Sequence, residues 1–166
     1  MPRDPNCTKC YLHKTALNRC IYGSGNPRSK IMIVGIAPMT NEDMKNKVFV
    51  GPSGQMLNKV LTWVGLDRES VYVTNIVKCF VKSNTEPEKE AIEACAEYFV
   101  DEIDTIRPSI VVACGKVPYK ALTNRNEILK WMKSISKVKY MGREIYVTPM
   151  PHPRSALTDS KHASTM

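Results

Sequence analysis

Of the six cysteines in this 166-residue chain, four have spacings that can do chemistry. Cys7-Thr-Lys-Cys10 sets two thiols within reach of one centre from a single turn. Cys79 and Cys95 are separated by fifteen residues, the first just after an expected strand and the second inside an expected helix. A zinc ribbon more often closes with a second tight Cys-x-x-Cys pair, and none is present. Four thiolates gathered from scattered elements fit an iron–sulfur cluster better. A zinc-binding α/β protein of another function is the weaker alternative. Cys114 ends an apolar run and reads as a small core residue, while Cys20 is expected near the four but not among them.

Three further residues have side chains with binding chemistry. Asn75 offers both a donor and an acceptor on one amide, Phe49 a flat face, and His152 a ring held between Pro151 and Pro153. Taken singly, each has a plainer reading: a turn asparagine, a core phenylalanine beside Val48 and Val50, a loop histidine.

The elements that must position these residues alternate. Short apolar runs at 30–36, 71–77, 109–114 and 144–148 read as strands, and helical spacing marks 55–65, 87–106 and the start of a helix at 116–122. The pattern predicts an α/β fold, a three-layer α/β/α arrangement around a central four-stranded, mainly parallel sheet. In such sheets functional loops gather at the strands' carboxyl ends, where 37–39, 75–78 and 149–154 fall. Hydrophobic residues at 43% and charged residues at 24% are ordinary for a globular chain. One domain over 1–157 with a polar tail at 158–166 is expected. No apolar run is long enough to span a bilayer and the N-terminus does not read as a signal peptide, so reduced thiols, a cytoplasmic location and no membrane contact are expected. A net charge of +8 permits DNA as a partner without identifying it.

Read together, the segments resemble the family 4 uracil-DNA glycosylases, the iron–sulfur branch of the uracil-DNA glycosylase superfamily. The resemblance runs from Cys7 to about Leu157: the Cys-x-x-Cys pair, Gly23-x-Gly25, Gly35-Ile-Ala-Pro38 with Glu42-Asp43, Phe49-Val-Gly51-x-x-Gly54-Gln55, Thr74-Asn75-x-x-Lys78-Cys79, the spacer to Cys95, and Pro151-His152-Pro153. It implies a monomeric enzyme that hydrolyses the bond between deoxyribose and a flipped-out uracil in single- or double-stranded DNA, leaving an abasic site. It also implies a 4Fe-4S cluster on Cys7, Cys10, Cys79 and Cys95. Gly35, Ala37, Glu42, Phe49, Asn75 and His152 would form the base pocket. Phe49 would stack on uracil, Asn75 would read its O4 and N3–H edge, and Glu42 would lie near C5. His152 would be catalytic, stabilising charge at O2. Arg154 and Ser155 would contact DNA, and backbone N–H groups of 51–54 could cradle a phosphate.

Ile36 departs from the pattern, standing where the family has glutamate, and Met39 stands where it has glycine. Val48 and Pro52 replace a proline and an arginine. Loss of a water-orienting carboxylate should slow chemistry. The alternative expectation is therefore a weak or inactive relative that binds DNA or a modified base.

Overall fold

Alternation within the apolar runs decides the layers. In β2 (Ile31–Gly35), Met32 and Val34 enter one apolar cluster and Ile33 the other. In β3 (Tyr72–Asn75), Tyr72 joins the first and Val73 the second. Strands buried on both faces require cover on both. Leu57 and Leu61 of α2 (Pro52–Trp63) provide it on one side. On the other side lie Phe99 and Ile103 of α3 (Lys89–Ile106), with Tyr119 and Leu122 of α4 (Lys116–Thr123). The result is the expected α/β/α sandwich, seen in a computed structural model that describes residues 3–83 and 85–155. The polar tail at 158–166, with His162, lies outside the described residues.

The sheet has six strands rather than four, in the order β1 (Ser24–Gly25), β3, β2, β4 (Ile110–Cys114), β6 (Arg143–Met150), β5 (Ser136–Tyr140). The four expected strands, β2, β3, β4 and β6, form its parallel centre. The two additional ones are antiparallel edges: β1 on β3 and β5 on β6. Neither carries an apolar run. β1 is two residues long, and β5 exposes Lys137 and Lys139, which discourages further strand addition at that edge.

α2 begins at Pro52, earlier than periodicity suggests, because proline at the first helical position gives up an N–H with no partner in the helix. α1 (Thr40–Lys45) and α5 (Ile128–Trp131) are too short to show a period. Beyond the paired strands, the Ile76 and Val77 N–H groups donate to the Gly35 and Ile36 carbonyls at 2.9 Å each. The β2 and β3 exits are thus stitched together, with Gly35 opposite Asn75. Among the described residues no helix is long and apolar enough to cross a membrane.

Candidate active site

A cavity of about 680 Å³ opens at the carboxyl ends of β2, β3 and β6. Ala37, Glu42, Phe49, Asn75 and His152 line it, together with Ile36, Met39, Glu86 and Arg154. Gly35 lies behind this wall. A Cβ there would stand 2.5 Å from both Phe49 Cζ and Asn75 Oδ1, so glycine is required for those two side chains to meet. Ser155 does not line the cavity; its N–H donates to the His152 carbonyl at 2.8 Å.

Phe49 takes a left-handed backbone conformation, φ 51°, which is costly for an aromatic residue. The conformation turns it out of the chain path between Val48 and Val50. Its ring packs on the cluster containing Ile33 and Leu57 while also bordering the cavity. One side of the ring is therefore core and the other is cavity wall. Gly54 makes this placement possible: a Cβ there would lie 1.8 Å from the Phe49 carbonyl oxygen.

Glu42 is not an exposed loop acid. It is 7% exposed, and Oε1 accepts N–H bonds from Val50 at 3.0 Å and Gly51 at 2.7 Å, while Oε2 accepts one from Met39 at 3.3 Å. The carboxylate thus ties the loop after β2 to the loop that carries Phe49. It also takes up the Gly51 N–H, removing that group from any phosphate cradle.

Asn75, at the end of β3, is 2% exposed, yet its side-chain amide bonds to none of the described residues. Its main chain is held from below. Lys78 Nζ donates to the Asn75 carbonyl at 2.7 Å and to Thr74 Oγ1 at 2.8 Å, and pairs with Glu102. Both members of that pair are 1% exposed. Glu102 also accepts from Thr74 Oγ1, from the Tyr72 hydroxyl at 3.0 Å and from the Gly23 N–H at 2.5 Å. Burial, with the Glu102 charge beside it, pushes the Tyr72 phenol strongly upward, so it stays protonated and donates. The sequence reading did not find this network. Its signals were a lysine inside an apolar run and a glutamate on the apolar stripe of α3, beside Phe99, Ile103 and Ile106.

Burial, with Arg154 adding positive charge, pushes the His152 imidazole down to about 4, so the ring is neutral near pH 7. Its Nδ1 accepts the Arg154 backbone N–H at 3.1 Å. That bond assigns the ring proton to Nε2, which has no partner among the described residues.

The remaining expected residues gather behind the pocket. Cys7, Cys10, Cys79 and Cys95 are all buried and none is in a disulfide. They come from the N-terminal segment, the exit of β3 and the middle of α3, and lie close enough for their charges to interact. Burial pushes the Cys79 thiol up to about 11 and the Cys95 thiol up to about 12. Backbone N–H groups point at the sulfurs: Leu12 to Cys10, Cys20 to Cys79, and Lys78 to Cys95, the last at 3.4 Å. Among the described residues no three His, Cys, Asp or Glu side chains form a group that could hold a single metal ion. A cluster differs in this respect, since each thiolate binds a different iron. Four buried thiols, three of them receiving N–H···S bonds, suit such a centre, whose charge removes the need for protons on sulfur. Cys20 is fully buried beside Cys7 and Tyr98, and Cys114 lies in the core as expected.

Residues 22–165 match the family model described as the Uracil DNA glycosylase superfamily. The type-4 uracil-DNA glycosylase of Archaeoglobus fulgidus is 35% identical over 157 residues, covering 92% of this chain and 78% of that protein. Those of Saccharolobus solfataricus and Sulfurisphaera tokodaii are each 38% identical, covering 91% and 92% of this chain and 72% and 71% of theirs. With an α/β/α sheet whose strand exits surround a cavity large enough to admit a base, and relatives that match it over nine-tenths of its length, the chain belongs to the uracil-DNA glycosylase superfamily, in its type-4 branch.

Proposed function

We propose that this chain is a uracil-DNA glycosylase in which Phe49, Asn75 and His152 hold a flipped-out uracil and His152 stabilises its departure. The observation that carries the residue assignment is the meeting in one cavity of two polar groups that bond to none of the described residues: the Asn75 amide and His152 Nε2–H. The Asn75 amide borders the cavity with donor and acceptor both unused by the described residues, and a uracil edge would pair with both.

In the reaction the bond between C1′ and N1 breaks and its electron pair leaves with uracil. Negative charge develops on the ring, largely at its carbonyl oxygens. A neutral imidazole donating from Nε2 to O2 stabilises that charge, and one well-placed donor is worth roughly 3–4 kcal/mol. Asn75 pairs with O4 and N3–H, and Phe49 stacks on the ring. Glu42 shapes the wall expected near C5 through its hold on the Val50 and Gly51 amides. Gly35 and Ala37 leave room for the base. Arg154 and Ser155 extend the His152 loop toward the DNA backbone. No lysine serves as a Schiff-base nucleophile in this scheme, so the product is an abasic site with its strand intact.

Cys7, Cys10, Cys79 and Cys95 would hold a 4Fe-4S cluster. When bound, it supplies ligation that cross-links the N-terminal segment, the β3 exit and α3. A monomer acting on single- or double-stranded DNA, folded as one unit over 1–157, is the assembly this scheme needs. Six buried free cysteines support a reducing, cytoplasmic setting. A binding-only role, raised by Ile36, is not favoured, because relatives named for the activity match most of the chain.

The test is uracil release from a single-stranded oligonucleotide carrying one deoxyuridine, with alkali converting abasic sites to breaks. Breaks that accumulate with wild type and not with His152→Ala support the assignment. None from protein verified to contain iron and sulfide would overturn it.

A further inference from the structure

Ile36 leaves open which group orients the attacking water. Among the described residues two carboxylates border the cavity, Glu42 and Glu86. Glu42 is committed: both of its oxygens accept backbone N–H groups. Glu86 is exposed at the cavity and makes no hydrogen bond or ion pair with any described residue.

The loop that carries Glu86 is fastened to the loop that carries Ile36. The Val81 N–H donates to the Pro38 carbonyl at 3.0 Å, and Ser83 Oγ to Met39 Sδ at 3.8 Å. Thr85 then turns back, its N–H donating to the Lys82 carbonyl at 3.2 Å and its Oγ1 at 2.6 Å. At the far end the Glu88 N–H donates to the Tyr11 hydroxyl at 3.3 Å. The second departure, Met39, therefore helps anchor the loop that brings a carboxylate to the cavity Ile36 also lines. An acid beside a pocket that must accept a polyanion is electrostatically unfavourable, so its presence there calls for a use.

We infer that Glu86 supplies the carboxylate function lost at Ile36, orienting the water that attacks deoxyribose C1′. This rests on the uracil-cleaving reading above. As C1′–N1 breaks and uracil leaves as the N1 anion, the water oxygen bonds to C1′. Its proton passes to the Glu86 carboxylate and then to solvent, while uracil regains a proton from water. The sum is one water consumed, with one abasic sugar and one neutral uracil formed.

Single-turnover uracil release and oligonucleotide affinity, measured for wild type, Glu86→Gln, Ile36→Glu and the double variant, test this. Glu86→Gln should slow release by about 100-fold with affinity changed less than about three-fold. In the Ile36→Glu background the same change should cost less than about five-fold, because the restored carboxylate does the same work. Release by Glu86→Gln within about two-fold of wild type would overturn the inference, as would an equal loss in both backgrounds. Glu86 is exposed, so its variant folds, and the first comparison decides even if Ile36→Glu does not. If wild type releases no uracil, the glycosylase reading itself fails; a cleaving wild type with an unaffected Glu86→Gln removes Glu86 alone.

Discussion

At the Asn75 end of the segment 75–79 a cavity-lining amide bonds to none of the described residues, and the neighbouring Phe49 holds a strained backbone. At the Cys79 end, a few residues on, thiols are closed in and collect backbone N–H groups. The first region keeps polar capacity open and the second uses it up. Open capacity suits a site that must bind, while closure suits a site that must not move. Between them stands the Lys78–Glu102 pair, which touches the Asn75 carbonyl on one side and follows the Lys78 backbone to Cys95 on the other. On the proposed reading, activity and stability are served by opposite ends of one short segment, joined by a buried charge pair.

The sharpest way to break this division is at the closed end. Cys95→Ala should lose iron and sulfide and lower the melting temperature by about 10 °C or more, since ligation free energy is folding free energy. Loss of activity at an unchanged melting temperature would mean that the two ends are not separate. Next in size is the link. Glu102→Leu strands the Lys78 charge and three other donors, and should cost about 3–5 kcal/mol in denaturant unfolding. Lys78→Met should cost less, because Glu102 keeps its neutral donors. Equal costs would show that the pair, rather than the network around Glu102, sets the energetics.

At the open end the expected effect is kinetic. His152→Ala should slow single-turnover release by roughly 100- to 1000-fold and shift the melting temperature by only about 2 °C. A large thermal shift would recast His152 as structural. The smallest effect is the pH response of that ring. Its folded value, about 4, lies below the unfolded 6.5, so between them the unfolded chain binds a proton that the folded chain refuses. Stability from this group is therefore full above pH 6.5 and declines as pH falls toward 4. An NMR titration of His152 should place the midpoint well below 6.5, and Arg154→Ala should move it upward. A midpoint at the ordinary value would remove the argument for a neutral donor held by burial.

Much of this was legible beforehand, for identifiable reasons. The parallel strands β2, β3, β4 and β6 announce themselves as apolar runs because both faces are buried. The edges β1 and β5 do not, because an edge needs no such run. Cysteine spacing marks the thiols without help from the fold. Glu42 was harder: a loop acid next to Asp43 reads as solvated, and only its contact with Val50 and Gly51 shows where its charge goes.

What the sequence determined by itself was therefore the alternation of elements, the thiol set and the motif residues, all of which depend on local spacing and side-chain chemistry. Tertiary structure alone decided the partner of each charge. Lys78 finds Glu102 across twenty-four residues, Glu42 faces inward, and His152 is left neutral with Nε2 unpaired among the described residues. Electrostatics inside a protein depends on what lies within a few ångströms and on how far water is excluded, and neither is a property of neighbours along the chain.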